Sequence, residues 1–84
     1  MDITELRQEI DGIDDKLLEL FQRRMAIVKE IGLYKKEKGL QVSDPDRESN
    51  VLRRLCEKAP TELAGYVKSL FTLLMEMSRD YQGV

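Results

Sequence analysis

The sequence predicts an all-α protein: three helices, one long (about 3–38) and two shorter (about 45–58 and about 61–82), forming an intertwined homodimeric helical bundle. Three observations carry this. Apolar residues recur at spacings of three and four; the apolar/polar alternation of strands is missing; and the first helix is too long for the rest of its chain to cover.

The first element is read from Ile3, Leu6, Ile10, Ile13, Leu17, Leu20, then Ile27, Ile31 and Tyr34, a heptad-like seam along one helix face. Asp2 with Glu5 three residues on has the form of a capping box, and Lys35, Lys36 and Lys38 followed by Gly39 mark the stop. Gly12 and Gly32 inside the run lower helix propensity only modestly. At about 1.5 Å per residue the helix is roughly 54 Å long, whereas a compact chain of this size has a radius of gyration of about 12 Å. The 46 residues that follow cannot bury such a rod, so a second copy is expected.

In the second element, Ser43-Asp44-Pro45-Asp46 supplies N-cap candidates, a Pro suited to the first turn, and acids at the positive end of the helix dipole. Its expected buried residues are Val51, Leu52 and Leu55. Pro60-Thr61-Glu62 opens the third helix, with apolar positions Leu63, Val67, Leu70, Leu74, Met77 and Tyr81.

Composition narrows the function classes. Eighty-four residues make a single domain, expected over 1–84. Sixteen acidic against fourteen basic residues give a net charge of −2, without the basic excess that nucleic-acid binding requires. The absence of His excludes His-based catalysis and leaves few metal options. The single Cys56 forms no internal disulfide, and no 18-residue apolar run or signal-like segment occurs. A cytoplasmic protein without membrane contact is expected.

Chemistry enters where the pattern breaks. Arg24 stands in the helix 1 seam, four after Leu20 and three before Ile27. A guanidinium buried there needs an anion, either a carboxylate of another helix acting as a register device or an anionic ligand. Lys35, eleven residues on, projects about 20° from Arg24 around the axis and about 16 Å along it, so the two could close on one small anion. Alone, Lys35 would merely complement the helix dipole. Arg7 lies about 25 Å before Arg24 and about 100° round the helix. It is either a solvated flanking residue or, with long helices packed antiparallel, a contributor to a partner's site. On helix 3, Phe71, Met75, Ser78 and Gln82 share a stripe on which two hydrogen-bonding residues end an apolar face. Arg47 and Glu48 follow the helix 2 cap, where solvation and dipole compensation would account for them.

Leu6-Arg7 with Ile10, Asp14 and Leu17, then Arg24, Lys35, Asp44-Pro45-Asp46-Arg47-Glu48, and finally Ser78 and Gln82, resemble the all-helical class of chorismate mutases over nearly the whole chain. The resemblance implies a three-helix subunit intertwined into a homodimer, each active site drawing mainly on one chain and receiving Arg7 from the other. The reaction it implies is the Claisen rearrangement of chorismate, a dianion, to prephenate, with no cofactor and no metal.

Position by position, the resemblance makes Arg24, Arg47 and the partner's Arg7 the carboxylate clamps, with Ser78 a smaller carboxylate donor. Lys35 and Gln82 match the pair that donates to the ether oxygen, and Glu48 the acceptor for the ring hydroxyl. The backbone N–H near Asp44 is a second contact, and Ile31 and Met75 are apolar walls. Arg79 departs from the pattern, standing where family members tend to be apolar and making the mouth of the site more polar. The doublet Arg23-Arg24 leaves a second register, which the spacing to Lys35 resolves toward Arg24. Two alternatives stand beside this reading: an isochorismate pyruvate lyase on the same fold, and a non-catalytic helical dimerisation or regulatory module.

Overall fold

The computed structural model describes residues 2–83, so Met1 and Val84, the outer bounds of the expected domain, lie outside the described residues. Among those residues the elements are α1 (Ile3–Lys38), α2 (Pro45–Lys58) and α3 (Ala64–Gln82), with a 3-10 turn at Thr61–Leu63 and no strand.

Local chemistry sets the boundaries. Asp2 Oδ1 accepts from the Glu5 N–H at 2.9 Å, capping the start of α1. At the other end Gly39 adopts φ 70°, the left-handed conformation that lets the Leu40 N–H turn back to the Lys35 carbonyl at 2.7 Å. Of the N-cap candidates before α2, Asp44 takes the role, accepting from the Arg47 N–H at 3.1 Å, and Pro45 fills the first turn. The third helix departs from the expected 61–82. Residues Thr61–Leu63 close instead as a 3-10 turn, with the Leu63 N–H on the Pro60 carbonyl at 2.9 Å. No side chain caps this turn, so its backbone groups are satisfied by the tighter i→i+3 bond before α3 proper begins at Ala64.

α3 packs on both α1 and α2, which do not pack directly on each other. Lys29 of α1 lies over the Tyr81 ring at 4.7 Å, tying the last turns of α3 to the middle of α1. The molecule measures 54 × 26 × 15 Å with a radius of gyration of 16.0 Å, well above the compact value of about 12 Å. The rod is as long as its residue count requires.

One chain covers little of its apolar surface. Val28, Gly32, Met75 and Ser78 are the buried residues among those described. Every described residue of α1 up to Leu20 is exposed, Ile10 at 55% and Leu17 at 57%. One expectation is corrected here. Val51, Leu52 and Leu55 of α2 are only half-buried. Of the apolar positions read on the third helix, Leu63, which falls in the 3-10 turn, and Leu70 and Tyr81 of α3 are exposed, and the stripe turned inward is Phe71, Met75, Ser78 and Gln82. Each helix carries more apolar surface than two neighbours can cover, so only the face toward the cavity is occupied within one subunit.

Candidate active site

The three helices line a half-open cavity of about 500 Å³. α1 supplies Arg24, Val28, Ile31 and Lys35, which fall on one face because their spacings are four, three and four. The head of α2 supplies Asp44, Arg47 and Glu48 within one turn of its cap, followed by Val51, Arg54 and Leu55. α3 supplies Phe71, Met75, Ser78, Arg79 and Gln82, and Val42 comes from the loop between α1 and α2.

Hydrogen bonds orient these groups. Ser78 donates to the Leu74 carbonyl at 2.6 Å, a common bond for a helical Ser, and thereby offers its oxygen to Arg24 Nη1 at 2.5 Å. The guanidinium is aimed by a buried hydroxyl rather than neutralised by a carboxylate. Among the described residues Arg24 has no ion-pair partner, so the reading of it as half of a structural ion pair within the subunit is not met. Lys35 Nζ donates to the Val42 carbonyl at 2.8 Å and to Gln82 Oε1 at 3.1 Å. An ammonium only donates, so Gln82 turns its amide oxygen to Lys35 and keeps its NH₂ for another acceptor. Lys35 itself has a third N–H to give. Glu48 pairs with Arg79 across the gap between α2 and α3.

The charge balance follows. Five cations, Arg24, Lys35, Arg47, Arg54 and Arg79, line the cavity with two carboxylates, Asp44 and Glu48, although the whole chain carries −2. Asp44 is occupied with the helix cap and Glu48 with Arg79, leaving Arg24, Lys35, Arg47 and Arg54 without a carboxylate among the described residues. Such a cavity suits a small molecule with more than one negative charge and an apolar body, which Val28, Ile31, Leu55, Phe71 and Met75 can contact.

Nine of the ten residues singled out in the sequence therefore converge: Arg24, Ile31, Lys35, Asp44, Arg47, Glu48, Met75, Ser78 and Gln82. Arg7 does not, because it is exposed near the far end of α1, roughly 25 Å of helix away. The sequence reading passed over Val28, Arg54 and the Val42 carbonyl. Val28 follows Arg24 by one helical turn and was findable by extending that stripe; a loop carbonyl leaves no mark on a side-chain pattern.

The chain as a whole resembles known proteins. Residues 6–83 match the profile of the family described as chorismate mutase type II. The chain is 30% identical over 83 residues to a chorismate mutase of Methanocaldococcus jannaschii, covering 95% of this chain and 83% of that one. It is 34% identical over 77 residues to a 3-dehydroquinate dehydratase of Pyrobaculum aerophilum, covering 92% of this chain and 23% of that protein. A bifunctional chorismate mutase/prephenate dehydratase of Escherichia coli is 39% identical over 75 residues, 87% of this chain and 19% of that one. The chain thus spans most of the first relative and less than a quarter of the other two. With three helices in the expected order, a cavity rich in unpaired cations, and a family match over nearly every residue, the chain belongs to the chorismate mutase type II family.

Proposed function

We propose that this family member converts chorismate to prephenate in the cavity between its three helices, as one of two equivalent sites of a homodimer in which the partner contributes Arg7. The observation that carries the reading is the set Arg24, Lys35 and Arg47, facing one cavity without carboxylate partners among the described residues. Chorismate bears two carboxylates on a flexible frame. Arg24 and Arg47, with Arg7 from across the interface, clamp them, and Ser78 holds Arg24 in place for that task. Clamping selects the compact chair in which the ends of the breaking and forming bonds approach, which is catalysis by orientation.

As the C–O bond breaks, negative charge grows on the ether oxygen. The third N–H of Lys35 and the NH₂ of Gln82 meet that oxygen, and their hydrogen bonds strengthen toward the transition state. Glu48 accepts from the ring hydroxyl, the Asp44 backbone N–H adds a contact, and Ile31 and Met75 wall the ring. No nucleophile or proton transfer enters. An acceleration of about a million-fold requires about 8 kcal/mol of preferential transition-state binding.

The second copy is supported by the uncovered seam. Ile3, Leu6, Ile10, Ile13, Leu17, Leu20, Ile27 and Tyr34 are all exposed in one chain. Each such side chain is worth about 1.5–3 kcal/mol on full burial. Two rods packed antiparallel would bring the start of one helix to the middle of the other, which is where Arg7 is required. Among the described residues no helix is long and apolar enough to cross a membrane. A cytoplasmic setting accords with the one free thiol, Cys56.

One assay tests the activity: loss of chorismate absorbance with product identification. Formation of prephenate is expected. Pyruvate release from isochorismate without turnover of chorismate would assign the lyase reading instead, and turnover of neither would leave a binding module.

A further inference from the structure

Arg79 plays no part in the reading above, yet it makes the one ion pair in the cavity among the described residues. Its guanidinium meets the Glu48 carboxylate through Nη1 and Oε1, joining α3 to α2 across 31 residues of chain. Both side chains are partly sheltered, 38% and 25% exposed, and both line the cavity. Arg79 follows Ser78 directly and precedes Gln82 by three, so one face of α3 presents all three to the same space.

We propose that Arg79 is a positioning residue of the active site, holding the Glu48 carboxylate by one oxygen so that the other accepts the substrate's ring hydroxyl. This rests on the chorismate reading of the cavity. Two physical points support it. A glutamate has three rotatable bonds, and fixing such a side chain costs about 1.5–2 kcal/mol, so a Glu48 already pinned loses less on meeting substrate. The second point concerns competition. Arg47 is the preceding residue and Arg24, Lys35 and Arg54 line the same cavity, so a loose carboxylate would find one of them and neutralise a cation needed for a substrate carboxylate. By occupying Glu48, Arg79 keeps those cations free. It also sets specificity, because a ring without that hydroxyl gains nothing from the arrangement. A half-exposed pair of this kind contributes little to folding stability, so the effect belongs on catalysis rather than on the melting temperature.

The test is a double-mutant cycle on the full chain, with Arg79→Met, Glu48→Gln and the pair, measured on chorismate and on an analogue lacking the ring hydroxyl. We expect Arg79→Met to lower kcat/KM on chorismate about tenfold, with no further loss in the Glu48→Gln background and no loss on the analogue. Arg79→Lys should recover part of the rate, since it restores a cation to the carboxylate, and the melting temperature should hold throughout. Additive losses in the double variant, or an equal loss on the analogue, would overturn the positioning role, because Arg79 would then be acting elsewhere than through Glu48. Unchanged kcat/KM in Arg79→Met with an active parent would overturn this inference alone. An inactive parent would overturn the chorismate reading and this inference with it.

Discussion

Gly32 of α1 lies directly beneath the backbone of Gln82 on α3: a Cβ built on it would stand 2.9 Å from the Gln82 carbonyl oxygen and 3.0 Å from its Cα. The missing side chain is what lets the last turn of α3 settle on α1. It thereby brings Gln82 within 3.1 Å of Lys35, which lies three residues along α1 from Gly32. A glycine that costs helix propensity is here a spacer for the two groups proposed to meet the ether oxygen.

Gly32→Ala should therefore separate stability from turnover. Alanine gains about 0.5–1 kcal/mol of helix propensity, while forcing a methyl group into a closed contact costs about 1–3 kcal/mol. The net change in stability should be small and unfavourable. The displaced backbone moves Gln82 away from Lys35, and the rate should fall at least about tenfold, roughly 1.4 kcal/mol. Gly65→Ala, where a Cβ meets nothing within 4 Å, should show the propensity gain without the rate loss. Thermal melts and steady-state rates on both variants decide it, and a normal rate in Gly32→Ala would show that the close approach is not needed.

Arg24→Leu should uncouple the two properties in the opposite sense. Arg24 has no carboxylate partner among the described residues, and Ser78 keeps its bond to the Leu74 carbonyl when the guanidinium is removed. A partly buried charge is exchanged for an apolar side chain, and stability should be unchanged or raised. Activity should drop at least about a hundredfold, roughly 2.7 kcal/mol of transition-state stabilisation. Clear destabilisation with near-normal turnover would mean that Arg24 serves the fold.

The uncovered seam of α1 predicts that folded, active protein sediments at twice 9.8 kDa and that its melting temperature rises with concentration. Because each site would draw Arg7 from the partner, mixing inactive Arg7→Ala and Arg24→Ala subunits should restore activity in part: a heterodimer contains one site free of both substitutions. A stable, active monomer would sink the shared-site arrangement. So would the absence of recovery after subunit exchange has been confirmed.

How the site came to be legible follows from the periodicities. Arg24 and the stripe from Phe71 to Gln82 were visible because a charge, or a hydroxyl and an amide, interrupted an apolar repeat, and helical spacing then placed Lys35 on the same face as Arg24. The cap at Asp44 was visible because its chemistry is local. What escaped was set by contacts between segments remote in sequence. The pairing of Arg79 with Glu48, the Val42 carbonyl on Lys35 and the fit of Gln82 over Gly32 depend on how far each helix slides along its neighbour. No single-helix pattern encodes that. Leu63, Leu70 and Tyr81 stay exposed within one subunit, because an apolar stripe reports that a surface is to be covered and not which chain covers it.

Gln82→Glu tests the proposed transition-state contact through pH. In the parent, Gln82 gives its oxygen to Lys35 and its NH₂ to the developing oxyanion, and neither role titrates. A carboxylate at 82 still accepts from Lys35, but it has no proton to give while ionised, and it sets a negative charge beside an oxygen that is becoming negative. Only the protonated acid restores a donor. A free Glu side chain protonates at about pH 4.3, so Gln82→Glu should be strongly impaired at neutral pH and recover as the pH falls toward that range. Lys35→Ala should be inactive at every pH, since it removes both the cation and the group that orients residue 82. The measurement is kcat/KM from pH 4.5 to 8 for parent and variants, with circular dichroism at each pH to show that the fold persists. If Gln82→Glu ran parallel to the parent across the range, residue 82 would not touch the breaking bond, and Lys35 alone would have to meet the ether oxygen.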